Sequence, residues 1–291
     1  MTRERTIERV IASHKQLEGG GFVVRRPLPT AGVDHLDPFL LIDEFGPIEF
    51  APGEAVGAPD HPHRGFETVS YILEGAVEHE DSAGHRGRIG PGDVQWMTAG
   101  AGIVHSEEPT REVLERGGRT HGFQVWVNLP ARLKMTKPRY QEVKAAGIPR
   151  IETPDGRARG VIIAGEALGV RAVIDTLTPI TYQDWTLDQG GDVTIALAPE
   201  QRALVYAFDG AIEIGGREVR EGQLAVLGEG DTVRLRGGPA GRALLLAGVP
   251  HHEPVARYGP FVMNTEQELV QAVRDYQSGR MGEITRTAQI G

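Results

Sequence analysis

Leu73-Glu-Gly-Ala-Val-Glu78 and Phe208-Asp-Gly-Ala-Ile-Glu213 are two versions of one phrase. In each, a β-rich run meets an acidic residue, a glycine turns the chain, and an apolar residue opens the next strand. A second pair follows in the same order, Gly90-Pro-Gly-Asp-Val94 and Arg220-Glu-Gly-Gln-Leu224. The spacing between the two turns is five residues shorter in the later copy, which a hairpin loop absorbs. Self-similarity of this kind predicts two copies of one β unit.

Working outward, short apolar runs between turn residues continue the pattern. Gly21-Phe-Val-Val24, Pro38-Phe-Leu-Leu-Ile42, Thr68-Val-Ser-Tyr-Ile-Leu73, Val94-Gln-Trp-Met97 and Gly122-Phe-Gln-Val-Trp-Val127 all read as strands. Gly75, Gly84, Gly87, Gly90 and Gly92 read as turn punctuation. With 39 glycines and 19 prolines in 291 residues, the chain is expected to be all-β. Residues 129–150, polar and interrupted by Pro130, Pro138 and Pro149, read as the connection between two domains. One helix is predicted over 265–280. Leu269, Val270, Val273 and Tyr276 fall at helical spacing, and Thr265 with Glu268 forms a capping-box pattern.

Composition removes several function classes. The net charge of −9 gives no basic surface for direct nucleic-acid binding. With no cysteine, disulfides, thiolate metal sites and thiol catalysis are excluded, and a reducing cytoplasm is the expected compartment. Met1–Val10 lacks the apolar core of a signal peptide, and no apolar run is long enough to span a membrane.

The chemistry concentrates in the first copy. Six of the ten histidines fall between residues 61 and 121. In Asp60-His-Pro-His-Arg-Gly-Phe-Glu67, His61 and His63 stand two residues apart, on one side of an extended chain. Two such imidazoles can converge on one ion. Pro62 removes a backbone donor, which suits a strand end or edge. His105 and Glu107 form a second pair 44 residues after the first, beyond the Gly-rich 98–102 turn. Three imidazoles and one carboxylate suit Fe(II), Mn, Ni, Co, Cu or Zn, and leave open positions on an octahedral ion. An isolated His-x-His is often an ordinary pair of surface histidines, but the second pair narrows the reading. The repeat supplies a control. Aligning Gly75 with Gly210 sets Ala196 and Ala198 opposite His61 and His63. Aligning Gly92 with Gly222 sets Leu235 and Gly237 opposite His105 and Glu107. The second copy carries none of the proposed ligands.

At residues 60–109 the sequence resembles the pirin family, a branch of the cupin superfamily. The resemblance rests on Asp60-His-Pro-His-Arg-Gly-Phe-Glu67 and on Gly92-Asp-Val-Gln-Trp-Met-Thr-Ala-Gly-Ala-Gly-Ile-Val-His-Ser-Glu-Glu-Pro109. Asp37-Pro-Phe-Leu-Leu-Ile-Asp-Glu-Phe45 and Arg257-Tyr-Gly-Pro-Phe-Val-Met-Asn264 extend it over about residues 5–282. It implies two tandem cupin barrels with a C-terminal helix. Residues 1–135 would form the metal-binding barrel. Residues 136–291 would form a degenerate barrel without metal, ending in a helix that packs back on the first.

The family's Fe(II) ligands fall on His61, His63, His105 and Glu107. Glu67 stands where the wider cupin pattern has a ligand and is kept beside the site as a supporting or alternate one. His79 is a candidate pocket residue or a solvated hairpin residue, and Phe66, Trp96 and Met97 are candidate apolar walls. The resemblance implies an O2-dependent quercetin 2,3-dioxygenase that opens flavonols and releases carbon monoxide, with Glu107 as ligand and base. The alternative is an iron-dependent, redox-sensing regulator of a protein partner such as a transcription factor or a metabolic enzyme. A third candidate is an isomerase or decarboxylase of another cupin type.

Overall fold

A computed structural model of the chain describes residues 2–286. The alternating runs form strands: Phe22–Leu28, Phe39–Phe50, Phe66–Glu74, Val94–Thr98 and Gly118–Asn128 contain those read from the sequence. Among the described residues, no helix is long and apolar enough to cross a membrane.

By packing, the chain divides into two compact units, and neither is a single stretch. One holds the segment up to His14, Arg25–Phe39 and Ala146–Pro250. The other holds Lys15–Val24, Leu40–Ala145 and the chain from His251 onward. A single cut at 135/136 therefore follows the sequence and not the packing, because the first strand and the last helix each join the unit of the opposite half.

The unit that carries the histidines contains a four-stranded antiparallel sheet. Its spatial order is Ala58–His63, Ile103–Pro109, Val77–Asp81, Arg86–Ile89. Ala58–His63, with Pro62, lies at its edge, where a missing N–H costs least. A seven-stranded sheet faces it, in the order Arg139–Val143, Val94–Thr98, Phe66–Glu74, Gly118–Asn128, Phe39–Phe50, Phe22–Leu28, His14–Glu18. Arg139–Val143 lies in the stretch read as an inter-domain connection. It pairs in register with Val94–Thr98 and forms one wall of the barrel.

The other unit repeats both orders. Asp192–Ala196 pairs with Thr232–Arg236, as Ala58–His63 pairs with Ile103–Pro109. Ile7–Ala12 lies against Gln223–Leu227, in the place that Arg139–Val143 holds against Val94–Thr98. The interior of this unit is apolar and mainly aliphatic. Trp185, Val193, Ile195, Leu197, Val205, Ile212, Val233, Leu235 and Leu245 form one buried cluster. Each such side chain contributes about 1.5–3 kcal/mol on burial, so this barrel needs no further device to hold it closed.

The terminal helix spans Glu266–Gln277, with the expected capping box between Thr265 and Glu268. It ends three residues short of the expected Arg280. Leu269 and Ala272 pack against Val104, Phe261 and Met263. A short helix, Arg111–Arg116, was not apparent in the sequence. Its six residues leave no room for an apolar period, and none of them is buried.

Candidate metal centre

Strand register brings the two histidine pairs together. His105 lies directly opposite His61, and Ile103 opposite His63. The ring centroids of His61, His63 and His105 stand 4.4–4.9 Å apart. One ligand nitrogen from each lies within 4.8 Å of the others. His63 and His105 are buried, while His61 is partly open to solvent.

The protonation states favour a ligand role. His61 Nδ1 lies 2.7 Å from the Pro59 carbonyl. A carbonyl only accepts, so Nδ1 donates and Nε2 is the nitrogen available to a ligand. Burial, and then the neighbouring imidazoles, push His63 and His105 well below the usual imidazole range. The Pro260 carbonyl opposes this weakly at His63, and Asp81 does so at His105. Both rings are therefore neutral near pH 7. The ring nitrogens of both are buried, and those of His105 have no hydrogen-bond partner. An unsatisfied buried polar atom costs about 1–3 kcal/mol. A divalent ion would take one lone pair from each of three convergent imidazoles, so these residues fit a metal.

The loop after His63 is fixed from several sides. Gly65 has φ +90°, and a Cβ there would stand 1.9 Å from the Val262 carbonyl oxygen. The buried Lys134 donates from Nζ to Gly65 O (2.8 Å), Asn128 Oδ1 (2.7 Å) and Val262 O (3.0 Å). Arg64 donates to Ala101 O (2.7 Å) and to Asp275 Oδ2 (2.8 Å) on the terminal helix. Phe66 and Trp126 each pack against the His63 ring at 5.2 Å.

Glu107 faces the same interior but is not one of the converging group. Its Oε1 accepts from Ser70 Oγ and its Oε2 from Gln124 Nε2, both at 2.8 Å. Each oxygen keeps a further lone pair. Glu67 points away from Glu107. Strand alternation puts Thr68 and Ser70 on the inner face and Glu67 on the other, where its Oε1 accepts from Thr98 Oγ1 at 2.6 Å. It is not placed as an alternate ligand. The same alternation sends Trp96 to the outer face and Met97 to the inner one.

His79, opposite Glu107 in register, points inward and pairs with Glu142. Glu142 also accepts from Gln95 Nε2 at 3.0 Å. Gly87, read as a turn, lies inside a strand. A Cβ there would stand 2.3 Å from both His79 Nε2 and a Glu142 oxygen, so its bareness makes room for the pair. Glu142 and Tyr140 escaped the sequence reading because their segment is polar and flanked by prolines. Tyr140 and Glu142, two residues apart and so on one side of an extended chain, were the one available signal.

The control in the second copy shifts slightly. Ala196 is exposed, and the inward positions of the matching strand pair are Val193, Ile195, Val233 and Leu235. The hairpin loops differ in length between the copies, which displaces a gapless alignment by about a residue.

Comparison with known proteins agrees with this architecture. The pirin family profile matches residues 21–127, and the pirin C-terminal cupin domain matches residues 182–282. Mus musculus pirin is 43% identical, over 97% of this chain and 96% of its own. A pirin-like protein of Solanum lycopersicum is 41% identical, over 97% and 94%. A crystal structure described as quercetin 2,3-dioxygenase from Acinetobacter baumannii superposes with a TM-score of 0.92. It has 36% identity and covers 97% of this chain and 100% of its own. With both of its cupin domains matched and full-length relatives above 40% identity, this chain belongs to the pirin family.

Proposed function

We propose that the chain is an Fe(II)-dependent dioxygenase that opens flavonols such as quercetin with O2 and releases carbon monoxide. The observation that carries the reading is the convergence of one ring nitrogen each from His61, His63 and His105 within 4.8 Å, with His63 and His105 buried. The likeness to the Acinetobacter baumannii structure supports the substrate class.

His61, His63 and His105 would hold the ion, with Glu107 as fourth ligand or base. The ion, when bound, supplies Lewis-acid acidification of a coordinated hydroxyl. Glu107 accepts the proton of the flavonol 3-hydroxyl at a free carboxylate lone pair. Ser70 and Gln124 keep its oxygens aimed while it does so. Phe66 and Trp126 shield the buried side of the cluster from water, and the partly open His61 side is where substrate enters. The cysteine-free chain suits the reducing cytoplasm, where ferrous iron persists.

The test is anaerobic Fe(II) reconstitution followed by quercetin and O2. Metal-dependent loss of flavonol absorbance with stoichiometric carbon monoxide is the expected result. Loaded protein without turnover contradicts it. Membership of the pirin family also admits a second reading, a redox-sensing partner of a regulatory protein. That reading predicts partner binding that differs between the ferrous and ferric forms.

A further inference from the structure

The strand Ala58–His63 carries two of the three imidazoles and is weakly anchored. It lies at the edge of its sheet, and Pro59 and Pro62 each lack an N–H to donate. Its pairing is also irregular. His61 lies opposite His105 and Ala58 opposite Glu107, so Pro59 and Asp60 together oppose the single residue Ser106. This is a β-bulge, a device that re-aims side chains. The Pro59 carbonyl within it accepts from His61 Nδ1 at 2.7 Å and so sets the direction of the ring.

The outer face of the same sheet meets the segment that follows the terminal helix. Alternation sends Val104, Ser106 and Glu108 to this face, opposite to His105 and Glu107. Met281 is buried with Val104, and Ile284 packs against the same cluster. Ser82 Oγ donates to Met281 O at 2.8 Å, and Arg86 donates to Thr285 O at 3.5 Å. The Arg286 guanidinium then spans the sheet. It pairs with Asp60 in the bulge and lies 3.9 Å from Glu80 on Val77–Asp81, the strand on the other side of Ile103–Pro109. Glu108 faces the same cation. Burial raises its carboxyl, Arg286 opposes the rise and Asp60 adds to it. Arg86 also reaches Glu80, at 3.3 Å, but among the described residues Arg286 is the one cation paired with Asp60. Without it, Asp60 and Glu108 would repel beside the bulge.

We propose that Arg286 is a positioning residue for the metal centre. By holding Asp60 from outside it fixes the Pro59–Asp60 bulge, keeps the His61 ring aimed inward and slows release of the ion. This rests on the metal-site reading above and adds a clamp to it. An exposed ion pair adds little to global stability, so the effect is local, at the edge strand.

The test loads wild type, Arg286→Ala, Arg286→Glu and Arg286→Lys with Fe(II) anaerobically and follows release of the ion to excess chromogenic chelator. The Tm of each metal-free protein is measured alongside. Release is expected to be about threefold to fivefold faster in Arg286→Ala and about tenfold faster in Arg286→Glu, which adds a like charge. Arg286→Lys, which keeps the charge, should stay within about twofold of wild type, with every Tm within about 3 °C. Release from Arg286→Glu at the wild-type rate overturns the proposal. Faster release with Tm lowered by more than about 3 °C also overturns it, by assigning the effect to the whole fold. Wild type that takes up no ion overturns the metal-site reading instead. Hydrogen exchange at Asp60, His61 and His63 then decides the clamp by itself: faster exchange in Arg286→Glu upholds it, and unchanged exchange overturns it.

Discussion

In one unit the paired strands 58–63 and 103–109 turn His61, His63, His105 and Glu107 inward. In the other, the matching strands 192–196 and 232–236 turn Val193, Ile195, Val233 and Leu235 inward. The strand orders are the same and the fillings are opposite. The second barrel shows that this sheet pair closes around an apolar interior without a histidine cluster. The histidines therefore are not what the fold requires. They impose a cost in unsatisfied buried nitrogen that only a ligand recovers. The contrast extends to the second row, where Glu107, Glu142, His79 and Gln95 form hydrogen-bonded pairs across the interior.

The contrast can be broken most sharply at the proposed ligands. His63→Ala or His105→Ala is expected to reduce metal content to background, by elemental analysis, while circular dichroism shows an intact fold. In the aliphatic unit the opposite split is expected. Ile195→Ala should cost about 3–4 kcal/mol in denaturant unfolding and leave metal content unchanged. Between these lies the buried Arg64–Asp275 pair, which ties the loop after His63 to the terminal helix. Asp275→Ala leaves the Arg64 charge unpaired and should cost about 3 kcal/mol, with weaker metal retention as a second readout.

Acidification separates the units more gently. His63 and His105 titrate below the unfolded value of about 6.5. Below that pH the unfolded chain binds protons that the folded apoprotein refuses. Stability is thus complete above about pH 6.5 and falls as pH drops below it. In metal-free protein, hydrogen exchange in Ile103–Pro109 should accelerate between about pH 7 and pH 5, after correction for intrinsic rates. Thr232–Arg236, lined by aliphatic side chains, should show no such change. The smallest effect is expected at Ala196→Ser, an exposed position, which should shift stability by less than about 0.5 kcal/mol and leave metal content unchanged.

Much of this was legible in the sequence for a local reason. Strand alternation and glycine turns operate over a few residues, so the repeated β unit, the His-x-His pair and the Thr265–Glu268 cap could be read directly. What could not be read depends on contacts between distant segments. Ile7–Ala12 and Arg139–Val143 are edge strands whose partners lie far along the chain. Lys134 reads as a linker lysine until Gly65 and Val262 are brought to it. Glu67 stands where the wider cupin pattern has a ligand, and the parity of its strand turns it away. Tyr140 and Glu142 were hidden by the prolines around them.

The central claim is that three imidazoles of one barrel hold one divalent ion. X-ray absorption at the K edge of the metal bound to the full chain tests it most directly. The account predicts about three imidazole ligands at about 2.0–2.2 Å, reduced by one in His105→Ala if any metal remains. Protein that takes up no divalent metal, or a bound ion with fewer than two imidazoles in the wild type, would contradict it.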